Sequence, residues 1–132
     1  RVSKTITFTG AANLGAIGNV PLFTVTGEVW IVVVVGFCMT DLVGATATLA
    51  LGVTGATALF IAATTGTLID ANLFWQDATP TANGEAIPAA LKDIAITDNV
   101  VATVAVAAIT AGVLRIDIYW RPLSSNGNVV AA

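Results

Sequence analysis

The chain has 132 residues and a mass of 13.3 kDa, enough for one domain with a core of its own. Hydrophobic residues make up 56%, charged residues only 10%, and the mean hydropathy is +0.88, so apolar surface must be hidden somewhere beyond that core. Five basic residues against eight acidic ones, with a pI near 4.4, leave no footprint for phosphate neutralisation, and one cysteine without any histidine leaves no internal disulfide and no ordinary metal or nucleophile site.

The opening RVSKTITFTG has neither an initiating methionine nor the pattern of a secretory leader, and it reads as a processed or trimmed terminus. Residues 1–4 are expected to form a short arm. After them Ile6 and Phe8 fall on one face and Thr5, Thr7 and Thr9 on the other, as in a half-buried strand. The Gly- and Asn-rich AANLGAIGN follows as a loop; it has neither the lysine nor the following helix of a phosphate loop. In VPLFTVTGEVW, Thr26, Gly27 and Glu28 separate two apolar runs, which predicts a tight hairpin.

The second arm of that hairpin would be VWIVVVVGFCM, residues 29–39, without one charge. It is too short for a spanning helix, and its β-branched side chains favour an extended chain. As a strand it places Val29, Ile31, Val33, Val35 and Phe37 on one face and Trp30, Val32 and Val34 on the other. Both faces are apolar, whereas a two-layer antiparallel domain normally wets one face of each sheet. Trp30, Val32 and Val34 are therefore the expected subunit contacts in a homo-oligomer.

ATATLALGV alternates and turns at Thr54 and Gly55 into ATALFIAA. Residues 66–88, punctuated by prolines and glycine, read as a surface excursion, and Phe74 and Trp75 are its candidates for meeting a partner. Alternation returns in KDIAITD and in NVVATVAVAAIT, which places Val100, Val104 and Val106 on one side and Val101 and Ile109 on the other. A turn at Ala111 and Gly112 leads to VLRIDIYWRPL. There Arg115, Asp117, Tyr119 and Arg121 face one way, Leu114, Ile116, Ile118 and Trp120 the other, and Pro122 closes the strand. About eight strands without a convincing helix predict an all-β single domain over residues 1–132, an antiparallel β-sandwich or jelly-roll-like small barrel. A membrane barrel would suit VLRIDIYWRPL, but the other strands lack polar lumen-facing residues.

No catalytic constellation emerges. The acids Glu28, Asp41, Asp70, Asp77, Glu85, Asp93, Asp98 and Asp117 are scattered and mostly flank turns, where Asp bonds nearby N–H groups. Asp70, Asn72 and Asp77 offer oxygen ligands without the spacing of a calcium loop, and Cys38 reads as a small buried hydrophobe. No cofactor and no metal is expected. The stripe Arg115, Asp117, Tyr119 and Arg121 is either a solvated strand face with weak ion pairs or a docking face for a partner.

Taken together, TITFTGAANLGAIGN, LFTVTGEV, CMTDLVGATATLALGV, LIDANLFWQD and WRPLSSNGNV resemble a group of small proteins encoded by tailed bacteriophages, over nearly the whole chain. The VWIVVVV run is more apolar than in typical members. The resemblance implies a non-enzymatic virion structural protein, foremost a capsid decoration or cement protein on the outer capsid surface. Such a protein would be a homotrimer tying major capsid protein subunits together, bound to neither nucleic acid nor membrane. Its alternative is a tail-tip or head-fibre module that recognises a host surface through the 66–88 excursion.

Overall fold

A computed structural model describes residues 1–84 and 86–132. The chain is all-β: two antiparallel sheets packed face to face without closing into a barrel. The first sheet joins β1 (Val2–Thr7), β9 (Ala111–Pro122) and β3 (Val29–Val43) in that order, and the far margin of β3 carries both β6 (Phe74–Trp75) and β7 (Lys92–Ile96). The second runs β10 (Asn128–Ala131), β2 (Gly18–Thr26), β8 (Val100–Ala105), β4 (Thr48–Val53), β5 (Ala56–Thr65).

The pairings reveal one long hairpin rolled upon itself. Its closed end is the turn between β4 and β5, and moving outward β3 pairs with β6 and β7, β2 with β8, and β1 with β9. Rolling places alternate pairs in opposite sheets, which is the jelly-roll order of two interlocked Greek keys. The inner faces meet around Ile6, Phe8, Leu22, Ile31, Leu49 and Ile116, all 2% exposed or less.

Three expectations change. The tight turn at Gly27 and Glu28 is present, with Gly27 at φ +64°, but β2 and β3 lie in different sheets, so it is a corner and not a hairpin. The corner is pinned from outside: Glu28 N–H donates to Ser124 Oγ at 2.9 Å, and Leu123 N–H donates to Glu28 O at 2.9 Å. Second, β3 is bulged against β9 between Ile31 and Val33, and a bulge reverses the phase of every residue beyond it. Val29 and Ile31 are buried before it, and Val34, Gly36 and Cys38 after it. Val34, expected at a subunit contact, is therefore fully buried in the core, while Val33, Val35 and Phe37 face outward half-buried. Third, β8 ends at Ala105, so Val106 leaves the strand and stands 70% exposed with φ +69°.

Residues 2–4 of the expected arm lie within β1, opposite Ile118, Asp117 and Ile116. The 66–88 excursion is anchored: Gly66–Leu68 forms a 3₁₀ turn, Ile69 and Trp75 are fully buried, and Phe74 and Thr81 exchange backbone hydrogen bonds. Residue 85 of that segment lies outside the described residues.

Candidate functional site

The outer face of the first sheet collects most of the side chains singled out from the sequence. Register sets β3 against β9 so that Trp30 is opposite Arg121, Val33 opposite Tyr119, Val35 opposite Asp117 and Phe37 opposite Arg115. An apolar ridge thus runs beside a charged one. The Arg115 guanidinium lies over the Phe37 ring, 5.5 Å from its centroid, and Phe74 meets Phe37 edge-on at 5.2 Å. Arg115 Nε donates to Asp117 Oδ2 at 2.8 Å, and Arg1 Nε sits 3.1 Å from Oδ1 as an ion pair without hydrogen-bond geometry. Asp117 is buried between two half-exposed arginines, and long side chains shield part of the ridge that the bare strand would leave open. Val32, at the bulge, is half-buried, and so is Trp30.

Trp75 does not join this face. It is fully buried, and its Nε1–H donates to Thr64 Oγ1 at 3.0 Å, so it is unavailable to a partner. The sequence LFWQD looks like a loop with an exposed tryptophan, but the two-residue strand β6 places Trp75 opposite Gly36, where the missing side chain lets the Trp75 main chain and Cβ approach closely. A Cβ on Gly36 would come within 2.7 Å of Trp75 O.

Two further surfaces lack any sequence signal beyond composition. Not one residue of the second sheet's five strands is charged. At the end where β1, β3, β5 and β8 all finish, residues 8–17, 44–47, 66–69 and 106–110 are also free of charge. These loops are stitched together through backbone: Ile109 N–H to Gly15 O, Thr110 N–H to Val43 O and Gly66 N–H to Ala47 O, each at 2.8 Å. Leu14, Ile17, Val43, Leu68 and Val106 project from this end or its margin, each at least 42% exposed. Beside it, between the margin of β1 and the start of β2, opens a cavity of about 410 Å³ lined by Ile6, Leu14, Val20 and Pro21, with Lys4 its one charged side chain, whose ammonium donates to Ala132 O.

The chemistry available is that of contact. Cys38 is fully buried, its Sγ facing Thr40 O at 3.1 Å and Ile69 O at 3.3 Å. Burial pushes its thiol up to about 11; a backbone hydrogen bond with Thr40 works against that rise, and Asp41 and Asp70 add to it. Asp41 accepts the Ala71 N–H at 2.7 Å and Asp77 the Thr79 N–H at 2.6 Å, so both caps are turn chemistry. Among the described residues no three carboxylate or thiol groups converge. No protein-family model, curated protein or solved structure matches the chain.

Proposed function

We propose that this chain is a non-enzymatic virion structural protein of a tailed bacteriophage, a capsid decoration protein that assembles into a homo-oligomer on the outer shell and ties major capsid subunits together. The observation that carries the reading is the charge-free second sheet, capped at one end by charge-free loops that present Leu14, Ile17, Val43 and Val106. Uncharged surface of that extent, rigidly held, is suited to being covered by neighbouring chains. Jelly rolls recur in viral shells, which agrees with the reading by analogy of fold. The mechanism is static: apolar area buried at each contact, at about 25 cal/mol per Å², is repeated over the shell.

The tail-tip alternative has less behind it, because Trp75 is held inside the domain. A membrane barrel needs a wall without free edges, whereas β1 and β10 are both open margins. The test is the copy number of the chain in purified particles by quantitative mass spectrometry. Hundreds of copies agree with decoration, a handful move it to the tail or a vertex, and absence from particles overturns the virion reading.

A further inference from the structure

The chain gathers its few bases on one face. Of five basic residues, Arg1, Lys92, Arg115 and Arg121 belong to the outer face of the first sheet. Residues directly opposite each other in a ladder point to the same side. Arg115 therefore stands with Phe37, Arg121 with Trp30, and Lys92 with Val33 and Tyr119, while Arg1 reaches the same side at Asp117. Asp117 is the one acid in β1 and β9. Glu28, two residues before Trp30, and Asp93, beside Lys92, stand at the rim, and Asp41 lies past Phe37 near the end of β3, accepting the Ala71 N–H. Set against the four bases and Asp117, the rest of the sequence holds one base, Lys4, and the other seven of eight acids.

These cations are held in place without being used up. Arg115 is fixed by its Nε–H to Asp117 Oδ2 and by the Phe37 ring beneath its guanidinium, yet its side chain is 41% exposed and that of Arg1 54%. Both meet Asp117 through Nε, so their terminal nitrogens have no partner among the described residues. Among the same residues Arg121 and Lys92, both exposed, pair with no carboxylate. The ridge of Val33, Val35 and Phe37 beside them is only half-buried. A solvated face of weak ion pairs would mix the two signs evenly. This face concentrates one sign next to apolar side chains, with the Arg, Tyr and Trp that carry most binding energy at interfaces.

We propose that the outer face of the first sheet docks an acidic, amphipathic segment of another protein, its carboxylates accepting from the Arg1, Arg115 and Arg121 guanidiniums and its apolar side chains covering Val33, Val35 and Phe37. Charge complementarity selects the partner. A carboxylate matches the planar fork of a guanidinium with two parallel bonds, and Arg115, already fixed by Asp117 and Phe37, loses little freedom in making them. A nucleic acid offers anions without aliphatic side chains for the ridge, and the acidic remainder of the chain repels a long polyanion. From Arg115 to Arg121 the strand rises roughly 20 Å, a span that a helical segment covers with about 15 residues. The inference goes beyond the virion reading and does not need it, since it names the chemistry of a partner and not the particle that holds both.

The experiment is an NMR titration of the isotope-labelled full chain with four probes. They are a helical peptide of about 15 residues with Glu along one edge and Leu along the adjoining face, the same peptide with Gln for every Glu, a single-stranded oligonucleotide, and vesicles of anionic phospholipid. The Glu peptide should shift Arg115, Tyr119, Arg121 and the Trp30 indole and leave the second sheet unmoved. The Gln peptide should bind about tenfold or more weakly, and added salt should weaken only the Glu peptide. Arg121→Glu with Lys92→Glu changes two exposed positions and keeps the fold; it should weaken the Glu peptide about tenfold or more. Arg115→Gln, which leaves Asp117 its Arg1 partner, should weaken it as well. No binding of the Glu peptide, equal binding of the two peptides, or shifts confined to other surfaces overturns the proposal. Tighter binding of the oligonucleotide or the vesicles through the same residues overturns the choice of a protein partner. Copy number in particles is measured separately, so the virion reading stands or falls apart from every one of these results.

Discussion

The indole Nε1–H of Trp75 donates to the hydroxyl of Thr64 at 3.0 Å in the interior, and the same hydroxyl faces Ala62 O at 3.1 Å. β5 and β6 lie in different sheets, so this polar contact links the two layers where they otherwise meet through apolar packing. Thr64→Val keeps the shape and leaves the indole N–H without a partner. The expected loss is about 1 to 3 kcal/mol, the cost of a buried unsatisfied donor. Thr64→Ser, which retains the hydroxyl, should lose less. Urea unfolding of the two variants measures the difference, and equal losses would assign the effect to the methyl group.

The bulge at Val32 makes neighbouring valines unequal. Val34 is fully buried between the sheets, and Val33 lies half-buried outside against Tyr119. Val34→Ala should cost about 2 to 3 kcal/mol through lost burial and a residual cavity, and Val33→Ala less than about 1. An unbulged strand would reverse that order. Thermal or chemical unfolding of the two variants distinguishes the cases, and it also decides which position can report on assembly, since a charge at Val34 would unfold the chain before any contact was tested.

Cys38 carries a pH dependence of definite sign. Its thiol titrates near 11 in the folded chain against 9.0 as the reference value, mainly because the thiolate would be buried. Folding thus favours the neutral form, so the stability it contributes is complete below pH 9 and is lost as pH rises towards 11. Cys38→Ala should flatten the stability profile across that window, although it lowers stability overall. Native protein should also react slowly with a thiol reagent at pH 8 and rapidly once unfolded; fast native labelling would show that the site opens.

Much of this fold can be read from residue order, and the failures have specific causes. β9 is legible because Leu114, Ile116 and Ile118 alternate cleanly with Arg115, Asp117 and Tyr119, and the same alternation places the charged stripe on the outer face. Sheet membership is not legible. Gly27 and Glu28 carry the turn chemistry of a hairpin, and only the distant Ser124 and Leu123 make the turn a corner. Nor is the bulge, because in IVVVVG every residue suits either face and composition cannot mark where the phase slips. Nor is the burial of Trp75, because Gly36, the residue it lies opposite, is far away in sequence. The charge-free loop end consists of four separated segments that look unremarkable until the roll brings them together.

The rolled hairpin also sets the order in which the chain can acquire its structure. Among the described residues, β4 and β5 are the only successive strands that pair across a short turn, whereas Ile6 finds Leu114 at nearly the full length of the chain. Closing a loop costs more entropy the longer it is, so pairing is cheapest at the closed end and grows outward, with β1 the last strand to dock. Stopped-flow kinetics should therefore separate the two ends. Ile61→Val in β5 should slow folding, and Ile6→Val in β1 should mainly quicken unfolding. The open margin of β1 is thus the last part of the domain to form, and whatever docks on it must await the completed fold.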